Sequence, residues 1–107
     1  MKYSDTWHIY EMKMWDEDYF NMEVRAYIKI NSNGIGKFQF GLVSGEVDGS
    51  IVKDEGIERF EFTWDGSDES DQASGGGWMR LTDKDHIRGM IRLHMGDHSE
   101  FLTKRAE

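Results

Sequence analysis

A two-residue alternation of apolar and polar side chains runs along most of this chain and constrains its fold more tightly than any other feature. Phe20, Met22, Val24, Ala26, Ile28 and Ile30 alternate with Tyr19, Asn21, Glu23, Arg25, Tyr27 and Lys29. The beat returns at Phe38-Phe40-Leu42, Phe60-Phe62-Trp64 and Ile87-Gly89-Ile91-Leu93. A period of two belongs to strands with one buried face and one wet face. No stretch carries the 3.6-residue apolar period of a useful amphipathic helix. The fold class is therefore all-β. Seven or eight short antiparallel strands joined by hairpins predict an up-and-down barrel or a strongly rolled sheet over a single domain, residues 1–107, with a flat sandwich as competitor.

The turns set the registers. Pairing Trp15 with Tyr19 across a polar Asp16-Glu17-Asp18 turn places Met14 opposite Phe20, Met12 opposite Met22, Tyr10 opposite Val24 and His8 opposite Ala26. That register turns His8 and Tyr10 inward, and Trp7, Ile9, Trp15, Tyr19 and Tyr27 outward. Asn31-Ser32-Asn33-Gly34 reads as a turn into the third strand. Ser44-Gly45 suits a two-residue hairpin pairing Val43 with Glu46, and Lys53 to Gly56 a turn pairing Val52 with Ile57. These place Phe38, Phe40, Val47, Gly49, Phe60 and Phe62 on one face, where large aromatics beside a glycine fill a curved sheet. Asp65 to Gly77, rich in acids and glycines, reads as a loop. Short strands near Trp78–Thr82 and Ser99–Lys104 complete the count; the loop length leaves open whether Trp78 or Met79 faces inward.

Composition excludes several function classes. The net charge of −8 opposes nucleic-acid binding through phosphate neutralisation. Ten acidic residues but only Lys53 and Arg59 as bases lie between Glu46 and Asp71, forming a solvated rim or a surface for a basic partner. There are no cysteines, hence no disulfides and no thiolate metal site. The N-terminus lacks the apolar core of a signal peptide, and no apolar run is long enough to span a bilayer, so a soluble cytoplasmic protein is expected. No nucleophile elbow, P-loop or dinucleotide fingerprint occurs, and no cofactor is predicted.

Four residues are candidates for binding a small ligand: His8 and Tyr10 because their register buries them, Trp64 on the same inward row, and His94 near a hairpin. A buried imidazole or phenol needs a hydrogen-bond partner, which a core neighbour or a ligand could supply. His94, Asp97 and His98 offer imidazole and carboxylate around one turn, the donor types zinc favours; Asp68 and Glu69, with Asp65 and Asp71, offer hard oxygens. Neither set matches a recognised metal spacing, and an ordinary polar turn or a solvated loop is the preferred reading of each. The outward Trp7, Ile9, Trp15, Tyr19 and Tyr27 would form an aromatic stripe of the kind found at interfaces, which suggests a homodimer unless another segment covers it.

Three stretches together resemble a family of small prokaryotic proteins of no established activity. They are Trp7-His8-Ile9 with Met12, Trp15-Asp16 and Asp18-Tyr19; Trp64-Asp65-Gly66 with Asp68-Glu69, Asp71, Ser74-Gly75 and Gly77-Trp78; and His94, Gly96-Asp97, Ser99 and Phe101. The resemblance covers most of the chain and transfers no catalytic residue. It implies that the acidic-glycine segment and the histidine hairpin belong to a shared pattern. Gly76 departs from that pattern, where a basic residue is expected, so any ion pair from that position to the acidic segment is missing.

The function expected is a non-enzymatic binding module for a small ligand or protein partner. Two alternatives stand beside it: a metal-assisted enzyme built on His94, Asp97 and His98, and an acidic protein that occupies a basic site on its partner.

Overall fold

Eight antiparallel strands follow one another in chain order, and the last pairs back onto the first to close a barrel. The computed structural model describes residues 1–106. Its strands are β1 (Asp5–Met12), β2 (Tyr27–Ile30), β3 (Ile35–Phe40), β4 (Val43–Asp54), β5 (Ile57–Asp68), β6 (Asp71–Asp83), β7 (His86–Leu93) and β8 (His98–Arg105). A single helical turn, α1 (Glu17–Phe20), lies between β1 and β2. No helix among the described residues is long and apolar enough to cross a membrane.

The alternation places the core as read from the sequence. Ala26, Ile28, Ile30, Phe38, Phe40, Val47, Phe60, Phe62, Trp64, Ile87, Ile91 and Phe101 are all buried. Their rings fill the interior: Phe38 meets Trp64 edge-on at 5.1 Å, Phe60 stacks on Phe62 at 6.2 Å, and Trp15 tilts against Phe40 at 5.0 Å. Both barrel mouths are plugged. Tyr3 packs on Phe60 at one end with centroids 5.7 Å apart, and Phe20, only 2 % exposed, closes the other. Burial pushes the Tyr3 phenol up from its ordinary value, against the opposing pull of the Leu81 N–H that it accepts.

β1 departs from the predicted pairing by one residue. His8 lies opposite Tyr27, not Ala26, and Trp7 lies opposite Ile28. The polar stretch expected as a tight turn instead starts α1, with the Asp16 carboxylate accepting from the Tyr19 N–H at 3.1 Å. This N-cap satisfies a backbone donor that would otherwise go unpaired. The inserted turn frees β1 from the short hairpin, and a one-residue slip exchanges its two faces. Trp7 and Ile9 are therefore core residues at 0 % and 3 % exposure, while Tyr10 is 50 % exposed. Burying indole and isoleucine gains more than burying imidazole and phenol. A bulge between Ile9 and Glu11 then leaves Tyr10 and Glu11 both outside and returns Met12 to the core. Met14, Met22 and Val24, expected on the inner row, are exposed.

The next two hairpins keep the predicted faces but shift by even numbers of residues. The β3–β4 turn is Gly41-Leu42, with Phe40 opposite Val43; Gly41 has φ 57°, as the first position of a type II′ turn requires. The Tyr19 ring also lies 2.4 Å from where a Gly41 Cβ would stand. The β4–β5 turn is Glu55-Gly56, with φ values of 50° and 81°, and Asp54 pairs with Ile57. Positive φ at both positions marks a type I′ turn.

The predicted loop at 65–77 is instead the distal half of a long hairpin. β5 and β6 pair from Phe60–Met79 out to Asp68–Asp71. Glycines sit in these strands because aromatics occupy their space: Gly75 lies opposite Trp64 and Gly77 opposite Phe62. Glycine kinks of this kind let a sheet coil tightly enough to close. Met79 is the inward residue at the start of this stretch, and Trp78 is outward and half-buried.

Ionic contacts reinforce the ladder between β1 and β8. Arg105 Nη1 lies 2.6 Å from Asp5 Oδ2, and its guanidinium stands 4.4 Å over the Trp7 ring. The Arg105 hydrogen bond, helped by the Thr6 N–H, holds the Asp5 carboxyl below its ordinary value. A depressed carboxyl contributes stability above its unfolded-state value, and that stability disappears as pH falls through the folded one. Asp5→Asn is expected to cost about 0.5–1 kcal/mol at neutral pH, the scale of a partly exposed pair. Urea midpoints of the two proteins should converge on acidification below the carboxylate range. A gap that stays constant into acid would dismiss this role.

Candidate functional site

With the interior occupied by side chains, the space available to a ligand lies on the outer wall. Inward positions on β5 are Phe60, Phe62 and Trp64, so Arg59, Glu61 and Thr63 face out. On β6 the outward positions flanking the buried Met79 are Trp78 and Arg80, with Gly76 beyond; on β7, Arg92 follows the buried Ile91. Cross-strand pairing aligns these in rows. One row runs Ser50, Glu61, Trp78, Met90, and the next runs Asp48, Thr63, Gly76, Arg92, His98.

Gly76 stands in the middle of the second row with no side chain. Its two neighbours are glycines for packing reasons. An added Cβ would meet the Arg92 carbonyl oxygen at 1.7 Å from Gly75, and the Met90 carbonyl oxygen at 2.2 Å from Gly77. A Cβ on Gly76 would meet only the Phe62 carbonyl oxygen, at 3.2 Å. The barrel therefore needs Gly75 and Gly77, whereas Gly76 leaves a gap in the wall that the core does not require.

Two open depressions adjoin this gap. One, of about 620 Å³, is bounded by Asp48, Arg59, Glu61, Thr63, Trp78 and Arg92. The other, of about 710 Å³, is bounded by Thr63, Arg92 and the His94–His98 turn, with the glycine run and Trp64 at its base. Arg92 borders both. Among the described residues no carboxylate lies within ion-pair distance of it, whereas Arg59 is paired with Glu61 and Arg88 with Glu100. Trp78 offers an indole beside it, with the Arg80 guanidinium 5.7 Å from that ring. The groove thus combines an aromatic surface, an unneutralised guanidinium, the carboxylates of Asp48 and Glu61, and a bare strand backbone.

The predicted site residues are divided by the structure. Trp64 and His94 come together at the second depression, where the Trp64 indole N–H donates to the Arg92 carbonyl at 3.0 Å. His8 lies on the outer wall between Lys104 and Tyr27, far along the ring of strands from β6, and Tyr10 protrudes at the β1 bulge. Neither lines an interior cavity. The outward aromatic stripe is likewise dispersed. Trp7 and Ile9 are inside, and Trp15 and Tyr19 pack half-buried over a barrel mouth. The Tyr19 hydroxyl accepts from the Leu42 N–H at 3.3 Å. Only Tyr27 remains on the wall. Among the described residues no three His, Asp or Glu side chains converge to hold a metal ion, so His94, Asp97 and His98 form no ligand set, and neither do Asp68 and Glu69 with their acidic neighbours.

Arg92, Trp78, Glu61 and Thr63 had no distinguishing signal in the sequence. The one available hint was the middle glycine of Gly75-Gly76-Gly77, legible only once the segment is known to be a strand. Comparison with family models, with curated proteins and with solved structures gives no match to this chain.

Proposed function

We propose that this barrel is a binding module and that its ligand surface is the groove across β5, β6 and β7. The observation that carries this reading is Arg92, an outward guanidinium without a carboxylate partner among the described residues, which stands between the two depressions. A guanidinium is suited to bidentate recognition of a carboxylate, and the Trp78 indole beside it suits a flat apolar face. The ligand class is therefore a small molecule or peptide end that joins a planar apolar group to a carboxylate. Ser50 and Thr63 lie across the ladder from Glu61 and Asp48, but among the described residues neither hydroxyl is hydrogen-bonded to a carboxylate, which favours binding without chemistry.

Heteronuclear NMR with a set of aromatic carboxylates tests it. Saturable shifts are expected at the Gly76, Trp78 and Arg92 amides, and Arg92→Gln should weaken binding about tenfold. Shifts confined to other surfaces, or equal affinity in the variant, would reject this groove.

A second reading has its own support on the neighbouring wall. Glu46 and Asp65 face each other directly across β4 and β5, an arrangement that costs stability in a sheet. A basic protein partner would relieve that repulsion. Its capture by the barrel should weaken steeply with salt; salt-insensitive capture would count against it.

A further inference from the structure

The wall opposite the acidic strands groups basic residues along part of its length. In the closed order of strands, β1 with its neighbours β2 and β8 lies across the barrel from β5. There His8 stands opposite Lys104 on one side and Tyr27 on the other, and Lys29 stands directly opposite Lys37. Like charges paired across strands are unfavourable, and in a chain of net charge −8 their grouping is not a consequence of composition. Among the described residues, Arg25, Lys29 and Lys104 have no carboxylate within ion-pair distance, whereas other basic residues make seven such contacts.

A pocket of about 180 Å³ opens between His8, Arg25, Lys104, Arg105 and Ala106. Arg105 is already committed to Asp5, to Asp85 and to the Lys84 carbonyl, and so it forms a wall and adds little free charge. Arg25 and Lys104 supply the uncompensated charge. His8 Nδ1 is shielded from solvent and has no hydrogen-bond partner among the described residues. Buried polar atoms are nearly always partnered, and an exception calls for an explanation. A ligand that only accepts hydrogen bonds and carries negative charge would satisfy the Arg25 guanidinium and the Lys104 ammonium at once, and a turn of the His8 ring would bring Nδ1–H to it as a third donor.

From this geometry we infer that the His8–Arg25–Lys104 pocket is a binding site for a small tetrahedral oxyanion of the phosphate class. A polyanion is disfavoured because the remaining surface repels it at longer range; one phosphate group meets only the local charge. The site is separate from the groove at Arg92 and stands or falls independently of it.

The test is an NMR titration of the intact protein with inorganic phosphate, at ionic strength held constant with chloride, following the His8 imidazole and the Lys104 and Ala106 amides. Saturable shifts are expected. Lys104→Gln and Arg25→Gln should each weaken binding about three- to tenfold, the scale of one partly screened charge-assisted contact. Lys53→Gln should leave it unchanged. Repeating the titration with glycerol phosphate separates a free anion from a phosphate monoester: tighter binding of the ester identifies the group as part of a larger ligand. Linear, unsaturable shifts, or the same affinity in the Lys104 and Arg25 variants, would mean an adventitious ion only and overturn the assignment.

Discussion

Alanine at Gly75 is expected to cost the barrel about 3 kcal/mol or more, while alanine at Gly76, the next residue, leaves stability within about 0.5 kcal/mol of the parent. At Gly75 the new methyl would fall 1.7 Å from the Arg92 carbonyl oxygen and 2.9 Å from the Trp64 indole nitrogen. Backbone and a buried ring must both move, and the β6–β7 ladder loses registry at the Gly75–Leu93 pair. Typical domains have only about 5–15 kcal/mol in total, so partial unfolding at ambient temperature is a realistic outcome for this variant. At Gly76 a methyl faces out, and the strand gains the conformational restriction that glycine lacks. That gain is offset by one tight contact with the Phe62 carbonyl oxygen at 3.2 Å. Denaturant midpoints of the two single variants decide the matter. Equal losses would mean that all three glycines serve the core and that the open floor of the groove is incidental.

Trp7→Ala should be nearly as severe, at about 3–5 kcal/mol, with a fall in Tm of roughly 15–25 °C. The indole is fully buried, donates its N–H to the Tyr3 carbonyl at 2.9 Å and lies beneath the Arg105 guanidinium. Removing it opens a cavity and unseats the residue that plugs one mouth of the barrel. Tyr10→Ala, three positions along the same strand, should change stability by less than about 0.5 kcal/mol because its ring is half-exposed at the bulge. Thermal unfolding of both variants therefore reports the register of β1 directly. The reverse order of effects would restore the pairing in which His8 and Tyr10 point inward.

Alternation alone specified which face of most strands is buried, because a closed barrel with a filled interior leaves no freedom in that choice. Phe38, Phe40, Phe60 and Phe62 were placed inward correctly although both hairpins carrying them were paired wrongly. Displacements of two or six residues preserve the faces, so a hydrophobic pattern cannot detect them. Only turn chemistry does, through Gly41 in one case and Glu55-Gly56 in the other. β1 was different because it is apolar on both sides. There the face depended on the connection, and α1 replaced the short turn that set the register. The segment from Asp65 to Gly77 looked like a loop because glycine and aspartate disfavour strands locally; the rings of Trp64 and Phe62 reverse that preference. The candidate groove was illegible for a related reason. It joins single residues from separate strands, and their adjacency follows from registers that alternation leaves undetermined.

The ladder between β1 and β8 also has a consequence for how the protein is made. Synthesis delivers β1 first and β8 last of the barrel strands, and neither mouth nor seam can form until β8 has emerged. Until then β1 and β7 are open edges. No proline in the chain blocks them, and no partner strand covers them. Closure thus waits for β8 and is dominated by contacts distant in sequence, which are slow to form. The nascent chain is most exposed to aggregation in the interval between the release of β7 and the docking of its last strand.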